Sequence, residues 1–236
     1  FNQFKEETMK PFIATLKAIE KNGFTYDDIT TYAKLKHGPE YTANILVREY
    51  TNKIEAKRAK IEDVTGSKDW TTKNQKLDQK LIDFKSTIFD YIEQQGIDYA
   101  GRDSIEKRIG ETADNFITNF ESENGSLVDD FWKQSKEVSH YALDEEVRGG
   151  MKTREWADGI KNMFDYYVPL KGHREPTAET TWDYSMEHGD FFFSAVKKGK
   201  GRTSESDDPF SVMESTVRSM IGAAEQNLQL QSLRRL

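Results

Sequence analysis

The chain has 236 residues, a net charge of −7, a pI near 5.3 and a mean hydropathy of −0.81, with 36% hydrophobic and 32% charged residues. That balance argues against a protein whose main task is coating nucleic acid, which needs a basic surface, and against a compact globule with a large core. Aromatic residues at 12% set it apart from disordered compositions, zero cysteines exclude disulfides, thiolate catalysis and Cys-based zinc sites, and no apolar run nears the roughly 18 residues of a membrane helix.

Such a composition suits long amphipathic helices around a thin core, or a piece that completes its core against other chains. The opening FNQFKEETMK has no initiator methionine and no signal-peptide pattern. The expectation is a segment of a much longer polypeptide.

In chain order, Phe4, Met9, Phe12, Ile13, Leu16 and Ile19 fall at helical spacing before Asn22-Gly23. Thr25 stands three residues ahead of Asp28, a helix start with an acidic first turn. Gly38-Pro39 predicts that this second helix ends at His37, and a charged helix is predicted from about Glu40 to Val64. Its NKIEAKRAKIED stretch alternates in sign; the basic cluster could bind phosphate, and the favoured reading is a solvated face laced with ion pairs.

Residues 66–72 read as a connection. Leu77, Leu81, Phe84, Ile88 and Tyr91 follow in steps of four and three, a coiled-coil-like seam that closes at Gln95-Gly96. One helix is predicted from about Asp103, with Ile105, Ile109, Phe116, Ile117 and Phe120 on one side. Ser126 and Asp129 form a capping-box-like start to a helix carrying Leu127, Phe131, Trp132, Val138 and Tyr141 and closing at Gly149-Gly150. Thr153 caps a short helix with Trp156, Ile160 and Phe164.

The stretch YYVPLKGH interrupts this pattern. Val168 precedes a proline and is biased out of the helical region, Pro169 has no N–H, and Gly172 permits a left-handed turn. The prediction is an extended exit in which Tyr166, Tyr167, Pro169, Leu170 and Gly172 act as structural anchors. Residues 174–206 carry no helical period; FFFSAV is a candidate short strand. Asp207-Asp208-Pro209 then starts a helix with Phe210, Met213, Val217, Met220, Ile221, Ala224 and Leu228 on one face. The architecture expected is all-α: an elongated multi-helix bundle over 1–165, an irregular aromatic and basic segment over 166–206 packed on it, and a C-terminal helix over 207–236.

Candidate chemistry is sparse. The four histidines, His37, His140, His173 and His188, form no HExxH pair. His173 and His188, near Glu175, Glu187 and Asp190, read as surface or half-buried polar residues. No nucleophile elbow, phosphate loop or dinucleotide fingerprint occurs. No catalytic residue, metal ligand or cofactor is predicted. The strongest local charge feature is Lys197, Lys198, Lys200 and Arg202, interleaved with glycines, which could contact phosphate, nucleic acid or an acidic partner.

Three separated stretches together resemble the large polyvalent proteins of bacteriophages and mobile elements. TYAKLKHGPEYTANI (31–45) resembles their KHxxE helix junction. VRGGMKTREWADGIKNMFDYYVPLKGH (147–173) resembles the run from a glycine-marked helix start to YYVPLRG. FFFSAVKKGKGRTSESDDPFSVMESTVRSMIGAAEQN (191–227) resembles the KGRTSxxxDP-type stretch and the helix after it. Here Glu40 is followed by Tyr41-Thr42 where the family has Arg-Asn, and Phe210 stands at the family's leucine. The composition also suits a crAss-like phage cargo protein.

The resemblance implies a non-enzymatic helical scaffold or linker module, packaged in the virion (capsid or tail) and ejected with the genome into the host cytoplasm. Its partners would be other segments of the same polypeptide or other virion proteins. Two alternatives stand beside it: a nucleic-acid-binding or processing domain using the 197–202 loop, and a structural virion oligomer pairing through the 77–91 seam or the C-terminal helix.

Overall fold

The computed structural model describes residues 1–64, 70–97, 101–169 and 208–234. Every regular element among them is helical. The candidate strand FFFSAV, the anchors Leu170 and Gly172, His173, His188 and the basic residues Lys197, Lys198, Lys200 and Arg202 lie outside the described residues.

Helix α1 comprises Asn2–Phe4, a π-helical stretch Lys5–Met9, and Lys10–Lys21. The wider turn ends just before Pro11, which has no N–H to give to the preceding turn. Phe4, Phe12, Leu16 and Ile19 are buried along it, while Ile13 is exposed. A reciprocal cap opens the next helix: the Thr25 amide donates to the Asp28 carboxylate at 2.7 Å, and the Asp28 amide donates to Thr25 Oγ1 at 3.2 Å.

Helix α2, Tyr26–Val64, corrects the expectation of a break at Gly38-Pro39: it runs straight through both residues. A proline inside a helix costs about 3 kcal/mol because a backbone donor is lost and the ring crowds the preceding turn. Two features offset this. Gly38 has no Cβ to meet the proline ring, which relieves the usual restriction on the residue before proline. The helix is also walled in: Ile29, Thr30, Thr31, Tyr32, Ala33, Lys34, Leu35 and His37 are all buried. Tertiary enclosure overrides the local breaker.

Helix α3 spans Trp70–Ser86 and α4 spans Ile88–Gln94. Most of the seam read over 77–91 packs inward on α2, with Tyr91 at its end exposed. Leu77, Ile88 and Ile92 are buried, and Phe84 stacks on Tyr50 at 4.3 Å between ring centres. A small second core of Ala43, Ile88 and Ile92 closes this arm.

The single helix expected from Asp103 is two: α5, Arg102–Ile109, and α6, Ala113–Asn124. Gly110 adopts φ +78, which terminates α5, and Thr112 caps α6 through the Asn115 amide. Helix α7 is Ser126–Arg148. Its N-cap is Gly125, with no side-chain cap, so Ser126 is a first-turn residue rather than the expected cap. Thr153 accepts from the Trp156 amide and starts α8, Arg154–Lys161. Asp208 accepts from the Phe210 amide and, with Pro209 at the first position, starts α9, Pro209–Leu233.

Helix α7 is the spine, packing on α9, α1, α8 and α6. It buries Val128, Phe131, Trp132, Val138, Ala142 and Leu143. The main core joins these to Phe12 and Leu16 of α1, Tyr32 and Leu35 of α2, Phe116 and Phe120 of α6, and Phe210, Met213, Val217 and Met220 of α9. Aromatic edges carry much of the contact: Phe210 meets Phe12 at 5.4 Å and Phe131 at 5.9 Å, both edge to face.

The end of α7 crosses α9 at Gly149. A Cβ added there would lie 2.7 Å from Ala224 Cα, and the Gly149 carbonyl accepts from Asn227 at 2.6 Å. Arg148 bridges Glu145 and Glu225 beside this crossing. Gly149→Ala is therefore expected to destabilise the fold by about 1–3 kcal/mol, because backbone must move. Gly222→Ala, inside α9 with nothing within 4 Å of the added carbon, is expected to stabilise by about 0.5–1 kcal/mol. Urea midpoints of the two variants, measured side by side, check both signs.

Candidate functional site

The KHGPE stretch of α2 and the YYV stretch after α8 are more than a hundred residues apart in the chain, and they meet. Glu40 makes the junction. Its Oε2 accepts from the Tyr166 amide at 2.8 Å and its Oε1 accepts from the Asp165 amide at 3.3 Å. These backbone donors lie just past a helix end, in non-helical chain, and a carboxylate from α2 satisfies them. From the other side, Ser135 of α7 donates to the Tyr167 carbonyl at 3.1 Å.

The rings of this segment spread over α2 and α7. Tyr166 meets Trp132 edge to face at 5.1 Å, and Lys36 Nζ sits 5.0 Å above the Tyr166 ring. Lys36 also pairs with Glu121 at 2.8 Å. The same Glu121 oxygen accepts from the Tyr32 hydroxyl at 2.9 Å, and that hydroxyl accepts from the Trp132 indole N–H at 3.0 Å. Burial raises the Tyr32 pKa well above that of a free phenol, so the hydroxyl keeps its proton. Tyr32 further stacks on Phe120 at 4.1 Å. Val168 and Pro169 are buried beyond the two tyrosines.

His37 is the enclosed group of the junction, with 1% of its surface exposed. Phe164, Tyr167 and Tyr41 surround it at 5.1, 5.3 and 5.9 Å between ring centres. The Glu40 carboxylate lies 3.9 Å from Nδ1, beyond hydrogen-bond reach, and neither ring nitrogen has a hydrogen-bond partner among the described residues. Burial holds the imidazole pKa below its ordinary value and outweighs the pull of Glu40.

His140 lies close by on α7. Burial and the neighbouring Lys161 lower its pKa, and it lines a cavity of about 30 Å³ with Lys136, Ser139, Lys161, Phe164 and Tyr167. That space suits about one water rather than a substrate. Lys161 is already paired with Asp144 at 2.7 Å. A wider, open cleft of about 480 Å³ runs along α1 against Glu214, lined by Lys5, Met9, Lys10, Ile13 and Lys17. It contains no nucleophile paired with a base. Among the described residues no group of three or more His, Asp or Glu could hold a metal ion, and no helix is long and apolar enough to cross a membrane.

Of the anchors read from the sequence, the structure thus places Tyr166, Tyr167 and Pro169 against the bundle. Glu40, Lys36, Glu121 and Ser135 are the groups that sequence reasoning did not assign to this contact. Nothing in local spacing reveals them, because the partners come from three different helices. No family model matches the chain, nor does any curated protein or solved structure.

Two outcomes test the junction. Glu40→Ala leaves two backbone donors without their acceptor and is expected to cost about 1–3 kcal/mol, with faster hydrogen exchange at the Tyr166 amide. For His37, the folded pKa is depressed, so near and below pH 6.5 the unfolded chain binds the extra proton. Its contribution is present above that pH and lost as pH falls. Urea stability is expected to drop between about pH 7.5 and 5.5, and His37→Phe is expected to flatten that slope, leaving the smaller share of His140.

Proposed function

We propose that the chain is a non-enzymatic helical module of a large phage or mobile-element protein, carried in the particle and delivered with the genome. One observation carries this reading. The described parts of the stretches that resemble those proteins pack on one another, and several of their polar atoms hold the bundle together. Glu40 and Lys36 from the first stretch hold Tyr166 of the second. Gly149 of the second meets Ala224 of the third. Asp208 of the third caps its own helix and accepts the Tyr26 hydroxyl at 3.0 Å. A site of reacting groups would leave some of these atoms facing an open pocket.

A bundle of helices with many local contacts also unfolds and refolds at modest cost, which suits passage through a narrow tail. The test has two parts. Mass spectrometry of purified particles of the encoding element is expected to find peptides of this chain inside them. Thermal unfolding is expected to be reversible, with refolding complete within about a second; a chain still folded above about 90 °C counts against delivery by unfolding.

A second reading, the structural oligomer, is favoured by the apolar side chains left outside the core. Ile82, Phe89, Leu230 and Leu233 are each more than half exposed. Of the 77–91 seam, Leu77 and Ile88 are buried while Tyr91 is exposed, so pairing there would use its outer end. A mass that rises with concentration, and falls back in an Ile82→Lys, Phe89→Lys variant, would support it.

A further inference from the structure

The net charge of −7 is unevenly distributed. Residues 48–85 hold ten Lys and Arg against seven Asp and Glu, a net of +3, so the rest of the chain carries −10. These residues are the outer half of α2 and most of α3, which pack together as a two-helix arm.

Within the arm six lysines recur at helical spacing. Lys53, Lys57 and Lys60 recur at i, i+4 and i+7 on α2, and Lys73, Lys76 and Lys80 recur at i, i+3 and i+7 on α3. Each triple forms a stripe along one side of its helix. Ile54 and Leu77 mark the faces turned inward. At about 100° per residue, Arg58 lies to one side of Ile54 and Lys53, Lys57 and Lys60 to the other. By the same count Asp78 lies to one side of Leu77 and Lys73, Lys76 and Lys80 to the other. Arg58 pairs with Asp78, and also with Glu55 at 3.1 Å, so these three define one flank of the arm. The two lysine stripes therefore share the opposite flank.

All six lysines are exposed. Lys53, Lys57, Lys60, Lys76 and Lys80 make no ion pair with described residues. Asp83 and, by the same helical count, the exposed Glu49 sit at the inner end of the strip, where Asp83 accepts from Gln79 at 2.7 Å.

We propose that this strip of six lysines is a docking surface for the phosphate backbone of double-stranded DNA. A row of cations without apolar neighbours fits a polyanion better than a protein, whose interfaces have an apolar centre. Ile82, the large exposed apolar side chain of α3, lies on the Asp78 flank by the same helical count. Among the described residues no exposed aromatic ring stands in the strip for stacking on a single strand, since Tyr50 is stacked on Phe84. Lysines alone also give no means of reading a 2′-hydroxyl or a base edge, so binding is independent of sequence. The inference does not depend on delivery in a particle.

Fluorescence anisotropy of a labelled DNA duplex, titrated with the whole chain at several salt concentrations, tests it. Two variants change one stripe each to glutamine, Lys53, Lys57 and Lys60 or Lys73, Lys76 and Lys80, and a third changes all six. Circular dichroism checks that they keep their helices. The wild type is expected to bind at about 50 mM salt, with log K falling against log salt at a slope of about −3 to −5. Each stripe variant is expected to lose at least about tenfold in affinity and about two to three units of slope. No binding by the wild type, or an unchanged slope in the sixfold variant, overturns the proposal. So does binding lost only when Lys197, Lys198, Lys200 and Arg202 become alanine, which moves the contact to the 197–202 loop. Self-association lost in the lysine variants, without DNA binding, overturns it in favour of a second copy's acidic surface.

Discussion

A helix can run through Gly38-Pro39 only where its surroundings hold it more firmly than the proline loosens it. In α2 that holding is the enclosure of Ile29 to His37 on nearly every side, and the rest of the structure is arranged around it. Tyr32, in the middle of that run, takes a hydrogen bond from Trp132 of α7 and gives one to Glu121 of α6. One hydroxyl thereby ties three helices in a region of low dielectric, where a satisfied polar group is strong and an unsatisfied one costly. Glu40, one turn past His37, then fixes the chain that leaves α8. With the middle of α2 displaced, the core would lose the stacked ring of Phe120, the edge of Trp132 and the seat of Tyr166 at once.

The helical class was legible because its signals are local. Apolar spacing placed Phe12, Leu16 and Ile19, Phe131 and Val138, and Met213, Val217 and Met220 on inward faces, where they lie. Caps were equally readable: Thr153, Asp208 and the Thr25–Asp28 pair each satisfy amides within three residues. The misreadings came from position-specific competition. Gly38-Pro39 was a valid stop signal overridden by burial, Gly110 broke a helix that the apolar pattern carried across, and Gly125 displaced Ser126 as cap. The junction was illegible for a different reason. Which carboxylate meets the Tyr166 amide depends on the packing of helices distant in sequence, and no period in the chain encodes it.

Whole-chain charge averages over local arrangement. A net of −7 argues against contact with nucleic acid only if charge is evenly spread, since fields near a surface follow the local arrangement within about 10 Å at ordinary salt. The lysine triples were visible in the sequence as helical stripes. Their common flank was not, because it follows from the antiparallel register that Arg58–Asp78 and Tyr50–Phe84 set.

Helix α2 also joins the two parts mechanically. Its 39 residues span about 58 Å at 1.5 Å each. The inner third is locked in the core and the outer part carries the arm. Pro39 falls at the boundary, at the one turn where the backbone ladder lacks a donor and bending is easiest. The Glu40 contacts and the ring cage around His37 act at that same turn. The aromatic segment after α8 is thus a splint across the weakest point of the longest helix. How firmly the arm is held to the body depends on that splint staying closed.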